Sequence, residues 1–84
     1  MWSNAEIKDI QTVVEHLSEV LKITSGITLR FNLEKETVTL LNGSNHFLDE
    51  VNIADDSSYG VLEDIMAHVL RNQESSVEKN LWEK

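Results

Sequence analysis

The residues best suited to chemistry in this chain are carboxylates. Asp49, Glu50, Asp55 and Asp56 fall within eight residues, and Glu63 and Asp64 follow soon after. Clustered carboxylates can hold a hard cation, act as general acid and base, or show negative charge to a basic surface. A calcium loop is excluded: the alternating Asp-x-Asp-x-Asp-Gly ligands and the distal glutamate are missing. Two uses remain. Asp55 and Asp56 can complement the positive end of a following helix while the others solvate a surface. Alternatively, the six form an acidic patch that docks on a basic protein. DNA carries one charge per ~1.7 Å of its axis, so clustered carboxylates can imitate its phosphates. Their field would also speed encounter with a nucleic-acid-binding protein.

Other reactive groups are sparse. No cysteine occurs, which removes thiolate nucleophiles, thiolate zinc sites and disulfides. Gly26, Gly43 and Gly60 lie too far apart to form a phosphate loop. No nucleophile elbow is present. His16, His46 and His68 never stand four apart, so no helical metal clamp is formed. His16 falls on the polar side of a helix, and His68 has Asp64 at i−4 as a surface partner. The chain is therefore expected to be non-enzymatic, with no cofactor and no metal.

Charge and length narrow the partner. Acids outnumber bases 15 to 7 over 84 residues, a formal charge of −8. This opposes direct binding to nucleic acid or to anionic membranes. No apolar run approaches the ~18 residues of a membrane span, and the first residues lack the regions of a signal peptide. A cytoplasmic protein of one small domain is expected.

The elements that must position the carboxylates are legible from local pattern. Ser3-Asn4-Ala5-Glu6 fits a capping box, with Trp2 and Ile7 as a hydrophobic staple. Ile7, Ile10, Val14, Leu17 and Leu21 recur at helical spacing, which predicts a helix over 4–24 closed by Gly26. Ile27 to Leu33 alternates as a strand, with Ile27, Leu29, Phe31 and Leu33 on one face. Glu34-Lys35-Glu36 reads as a turn and Thr37 to Leu41 as the second strand of a hairpin. Asn42-Gly43 predicts a turn, because both residues tolerate positive φ. His46 to Ile53 reads as a third strand in which Phe47, Val51 and Ile53 share a parity. Asp49 shares that parity and should not enter a core, so a bulge near Leu48-Asp49 is expected. A second helix starts at Ser57 or Ser58 and runs to about Asn72, with Tyr59, Leu62, Ile65, Met66, Val69 and Leu70 as its apolar face. Residues 1–74 then form a single αβ domain, and 75–84 a polar C-terminal tail or short helix. The fold class is α+β in the order α-β-β-β-α: a three-stranded antiparallel sheet with both helices on one face. Its other face would show Thr28, Arg30, Asn32, Thr37 and Thr39.

Two further features bear on partners. Gly60, Asp64, Ala67 and Arg71 lie opposite the core stripe of the second helix, where small residues permit close approach of another helix and Asp64 and Arg71 could pair across a two-fold axis. Trp82 has no assigned packing role, and either folds back on the core or anchors a partner.

The segment Val51-Asn52-Ile53-Ala54-Asp55-Asp56-Ser57-Ser58-Tyr59-Gly60 through Leu70 resembles a strand–turn–helix unit of small proteins from phages and mobile elements of Gram-positive bacteria. In size, acidity and element order the chain is also similar to small anti-defence proteins, anti-CRISPR proteins among them. That resemblance implies a non-enzymatic inhibitor in the cytoplasm of a bacterial host cell. The resemblance assigns no individual residue; on the acidic-patch reading, the partner would be a basic, nucleic-acid-binding protein occluded through Asp49, Glu50, Asp55, Asp56, Glu63 and Asp64. The alternative is a homo-oligomeric structural or regulatory protein, a homodimer built on helix 2 or a sheet edge.

Overall fold

The first helix begins where its side chains can satisfy their own backbone. In the computed structural model, which describes residues 2–82 and the side chains of residues 2–73, α1 spans Asn4–Thr24. Ser3 Oγ accepts from Glu6 N–H at 3.2 Å, and Glu6 Oε1 accepts from Ser3 N–H at 3.3 Å. The helix closes as Ser25 N–H and Ile27 N–H both donate to the Leu21 carbonyl, at 2.8 and 3.2 Å. Gly26 supplies the left-handed φ of 66° that this reversal needs.

The chain continues as β1 (Thr28–Asn32), β2 (Thr37–Leu41), β3 (Phe47–Asn52) and α2 (Ser58–Trp82). The sheet is antiparallel throughout, in the order β1-β2-β3. Leu29, Leu40 and Asp49 stand in register across it, as do Phe31, Val38 and Val51. Both helices cover this inner face, α1 over β1 and α2 over β3. Ile10, Val14 and Leu21 meet Val38, Leu40, Val51, Ile53, Val61, Ile65 and Val69 in one core. The architecture is the α+β arrangement expected from pattern alone, and the open face carries Thr28, Arg30, Asn32, Thr37 and Thr39.

Five local expectations are corrected. Leu33 does not join the inner face: β1 stops at Asn32, whose Oδ1 accepts from Lys35 N–H at 3.0 Å and starts the turn. In the β2–β3 turn the left-handed residue is Asn45 (φ 62°), not Gly43. Asn42 acts there through its side chain, accepting from Ser44 N–H and His46 N–H at 2.8 and 3.0 Å. Phe47 does not share the inner face with Val51 and Ile53: the bulge expected near Leu48-Asp49 falls at Leu48, since Asp49 pairs with Leu40 and Phe47 with Leu41. It turns Phe47 onto the open face, 63% exposed, and leaves Asp49 on the inner face at the rim. α2 buries Val61, Ile65 and Val69, while Tyr59 and Leu70 stay 68% and 52% exposed. α2 also continues past Asn72 to Trp82, because neither glycine nor proline interrupts the chain after Gly60. The Trp82 side chain lies outside the described residues. No described helix is long and apolar enough to cross a membrane.

Candidate functional site

The six carboxylates do not form one site; the fold divides them into three kinds. Asp49 is a fixed strut between β3 and α2. Its Oδ2 lies 2.7 Å from His68 Nδ1 and accepts from Asn72 Nδ2 at 3.4 Å. Its Oδ1 accepts from Glu50 N–H at 2.8 Å. Asn72 Nδ2 also donates to the His68 carbonyl at 2.8 Å, which holds the receiving pair on one turn of α2. The bond to His68 holds the Asp49 carboxyl below the usual carboxylate range, against partial burial that pushes it up. The Glu50 N–H, the charge of His68 and Asn72 add to the lowering. His68 therefore belongs to Asp49, nineteen residues away, rather than to Asp64 at i−4. Sequence spacing concealed this contact. The signal that could have revealed it was Asp49 on an inward parity opposite a helix carrying His68 and Asn72 at i, i+4.

Asp56 and Asp64 form the second group. Trp2 Nε1 donates to the Asp56 carbonyl at 2.7 Å, and the Trp2 ring meets Phe31 with centroids 6.2 Å apart. The N-terminus thereby clamps the β3–α2 loop, a role beyond the staple expected of Trp2. Asp56 N–H donates to the Ile53 carbonyl at 3.1 Å. Ser57 caps α2, its Oγ accepting from Gly60 N–H at 3.2 Å. The Asp56 side chain then lies over Gly60, whose missing Cβ would sit 3.5 Å from Asp56 Cβ, and reaches Asp64 one turn further on. A hydrogen bond with Asp64 raises the Asp56 carboxyl to about 6, and partial burial and the charges of Asp64 and Asp55 push the same way. Two carboxylates share a hydrogen bond only when one keeps a proton. Asp56 Oδ2 is buried and has no hydrogen-bond partner among the described residues.

Glu50, Asp55 and Glu63 are the third kind, exposed to solvent on β3, the loop and α2. Asp55 holds a left-handed φ of 68°, which aspartate tolerates better than most residues. No group of three or more His, Cys, Asp or Glu able to hold a metal exists among the described residues. A surface hollow of about 540 Å³ lies elsewhere, between α1 and β1, against Gln11, Ser18, Arg30 and Phe31.

The expected self-association residues fare unevenly. Ala67 and Arg71 are exposed, but Asp56 covers Gly60 and engages Asp64, so the small-residue face is occupied in its first turn. The sheet edges are also guarded. Leu29 N–H donates to Ser18 Oγ at 3.0 Å, and the Glu50 N–H is taken by Asp49. A strand added at either edge would have to displace the contact there. No family model, curated protein or solved structure matches the chain.

Proposed function

We propose that the chain is a small non-enzymatic interaction module that occludes a basic, nucleic-acid-binding protein partner. It would act in the cytoplasm of a bacterial cell, in the manner of the phage anti-defence inhibitors it resembles. One observation carries this reading. Between Lys35 and Arg71 the chain has seven carboxylates and no lysine or arginine. Six of them fall on β3, the loop after it and the first half of α2. Lys8, Lys22, Arg30 and Lys35 all belong to α1, β1 and the turn that follows. The segment from β3 into the first half of α2 is thus of a single sign, and such a segment adds its field to the attraction of an approaching basic surface. The same field opposes direct contact with nucleic acid.

Within that segment the duties differ. Glu50, Asp55 and Glu63 are free to meet the partner, while Asp49, Asp56 and Asp64 shape the surface that presents them. The test is capture from bacterial lysate by the tagged chain and by a Glu50→Lys, Asp55→Asn, Glu63→Lys variant. The Asn at position 55 respects the left-handed backbone. Capture is done at roughly 50 mM and roughly 500 mM salt, which shortens the screening length from ~13 to ~4 Å. A nucleic-acid-binding protein retained only at low salt, and only by the unaltered chain, is the expected result. A partner held equally by the variant ends the acidic-surface mechanism.

A further inference from the structure

We propose that the hollow between α1 and β1 binds an extended peptide, which joins the sheet beside β1 and carries basic, acidic and basic side chains in succession. β1 is an edge strand, paired only with β2. In an antiparallel ladder, opposed residues alternate between pairs that exchange both backbone bonds and pairs whose N–H and C=O point away from the partner. Leu29 N–H points away from β2, because it donates to Ser18 Oγ at 3.0 Å. The register runs from Thr28 to Asn32 without a shift, so Phe31 presents its N–H and C=O to the same open edge. Among the described residues no side chain takes the Phe31 N–H as Ser18 takes that of Leu29. Both residues line the hollow of about 540 Å³, with α1 as its other wall. A groove between a helix and an edge strand suits strand addition, in which backbone bonds give affinity and alternate side chains give specificity.

The side chains around the hollow define the peptide. Peptide residues opposite Leu29 and Phe31 share the inner face with them. There the floor is Val14, Leu29 and Phe31, and Glu15 and Glu19 stand exposed on the α1 rim. Neither glutamate is in an ion pair among the described residues. A lysine or arginine can lay its apolar stem on such a floor and bring its charge to the rim. The peptide residue opposite Arg30 shares the open face with that guanidinium, which is exposed and also without an ion pair among the described residues. Opposite charges directly across two strands attract. Opposite Leu29, Arg30 and Phe31 the peptide therefore reads basic, acidic, basic. Ser18 holds the place of its backbone: the hydroxyl occupies the Leu29 N–H until a peptide carbonyl replaces it. β1 and β3 are opposite edges of the sheet, so this site is separate from the exposed carboxylates of Glu50, Asp55 and Glu63.

The test titrates the full, isotope-labelled chain with a capped Thr-Lys-Glu-Lys-Thr peptide and follows backbone amide shifts. Salt is held at roughly 150 mM, where the screening length is ~8 Å. Saturable shifts are expected at Leu29, Phe31 and the α1 residues from Gln11 to Glu19. N-methylation of both lysines removes the donors that face β1 and should weaken binding about fivefold or more. N-methylation of the central glutamate, whose N–H points to solvent, should leave it unchanged. Glu15→Gln combined with Glu19→Gln should weaken binding about fivefold. Ser18→Ala should tighten it about threefold, because the Leu29 N–H no longer has a competitor. The Glu50→Lys, Asp55→Asn, Glu63→Lys variant should bind the peptide within about twofold of the unaltered chain. Absence of saturable shifts at Leu29 and Phe31 overturns the proposal. So does equal binding of the reordered Thr-Lys-Lys-Glu-Thr peptide. A loss in the Glu50, Asp55 and Glu63 variant as large as that in the Glu15 and Glu19 variant also overturns it, since net charge alone would then account for the attraction.

Discussion

Replacing Asp56 by asparagine should make the protein more stable at neutral pH and leave it unchanged in acid. Asp56 holds its proton in the fold up to about pH 6, against 3.8 for an unperturbed aspartate. Between those values the folded state binds more protons than the unfolded chain, so stability falls as pH rises. The contribution is complete below 3.8 and gone once the pH has passed about 6. The full interval corresponds to about 3 kcal/mol at about 1.4 kcal/mol per unit. Asp56 is partly open to water, and screening reduces the amount to about 1 kcal/mol. Asparagine is nearly isosteric, and its amide donates to Asp64 without needing a proton. Urea denaturation of both proteins, followed by far-UV circular dichroism, reads the difference directly. At about pH 4 the two midpoints should coincide. At about pH 7.5 the variant should be more stable by about 1 kcal/mol. Shared pH effects of other groups cancel in this comparison. A gap between the proteins that is the same at both pH values would refute the shared-proton arrangement.

Two other perturbations address the framework. Asp49→Ala strips the acceptor from His68, Asn72 and the Glu50 N–H, and should cost about 1–2 kcal/mol in urea denaturation. Because the Asp49 carboxyl is lowered in the fold, its contribution is present above 3.8 and disappears as pH falls further, so the variant should lack that acid loss. Thr37→Val should stabilise by about 0.5–1 kcal/mol, seen as a higher melting temperature. Thr37 is 7% exposed on the central strand, and its hydroxyl has no partner among the described residues; a lower melting temperature would show that this hydroxyl is satisfied.

The carboxylates divide into those with internal contacts and those without. A residue on the acidic side is informative about partner binding only if it has no internal task. Glu50, Asp55 and Glu63 meet that condition. Substituting Asp49, Asp56 or Asp64 would change stability, so a loss of binding in such a variant would not by itself assign a contact.

What the sequence determined by itself is whatever depends on neighbours a few residues apart. The reciprocal bonds of Ser3 and Glu6 span three residues, and they set the start of α1. Alternation set the three strands, and the parity conflict at Asp49 located the bulge next to Leu48. Those steps fix the α-β-β-β-α order, because each is a short-range choice between two periodicities. Tertiary structure decided the rest. The apolar residues of α2 from Tyr59 to Leu70 cover about half its circumference at 100° per residue, so periodicity could not say which part faces the sheet. The register of β3 and the clamp of Trp2 on the Asp56 carbonyl chose Val61, Ile65 and Val69. The same long-range contacts gave Asp49 to His68 and Asp56 to Asp64. Pairings of this kind depend on how elements are laid against one another in space, and nothing in the local spacing of a single chain encodes that distance.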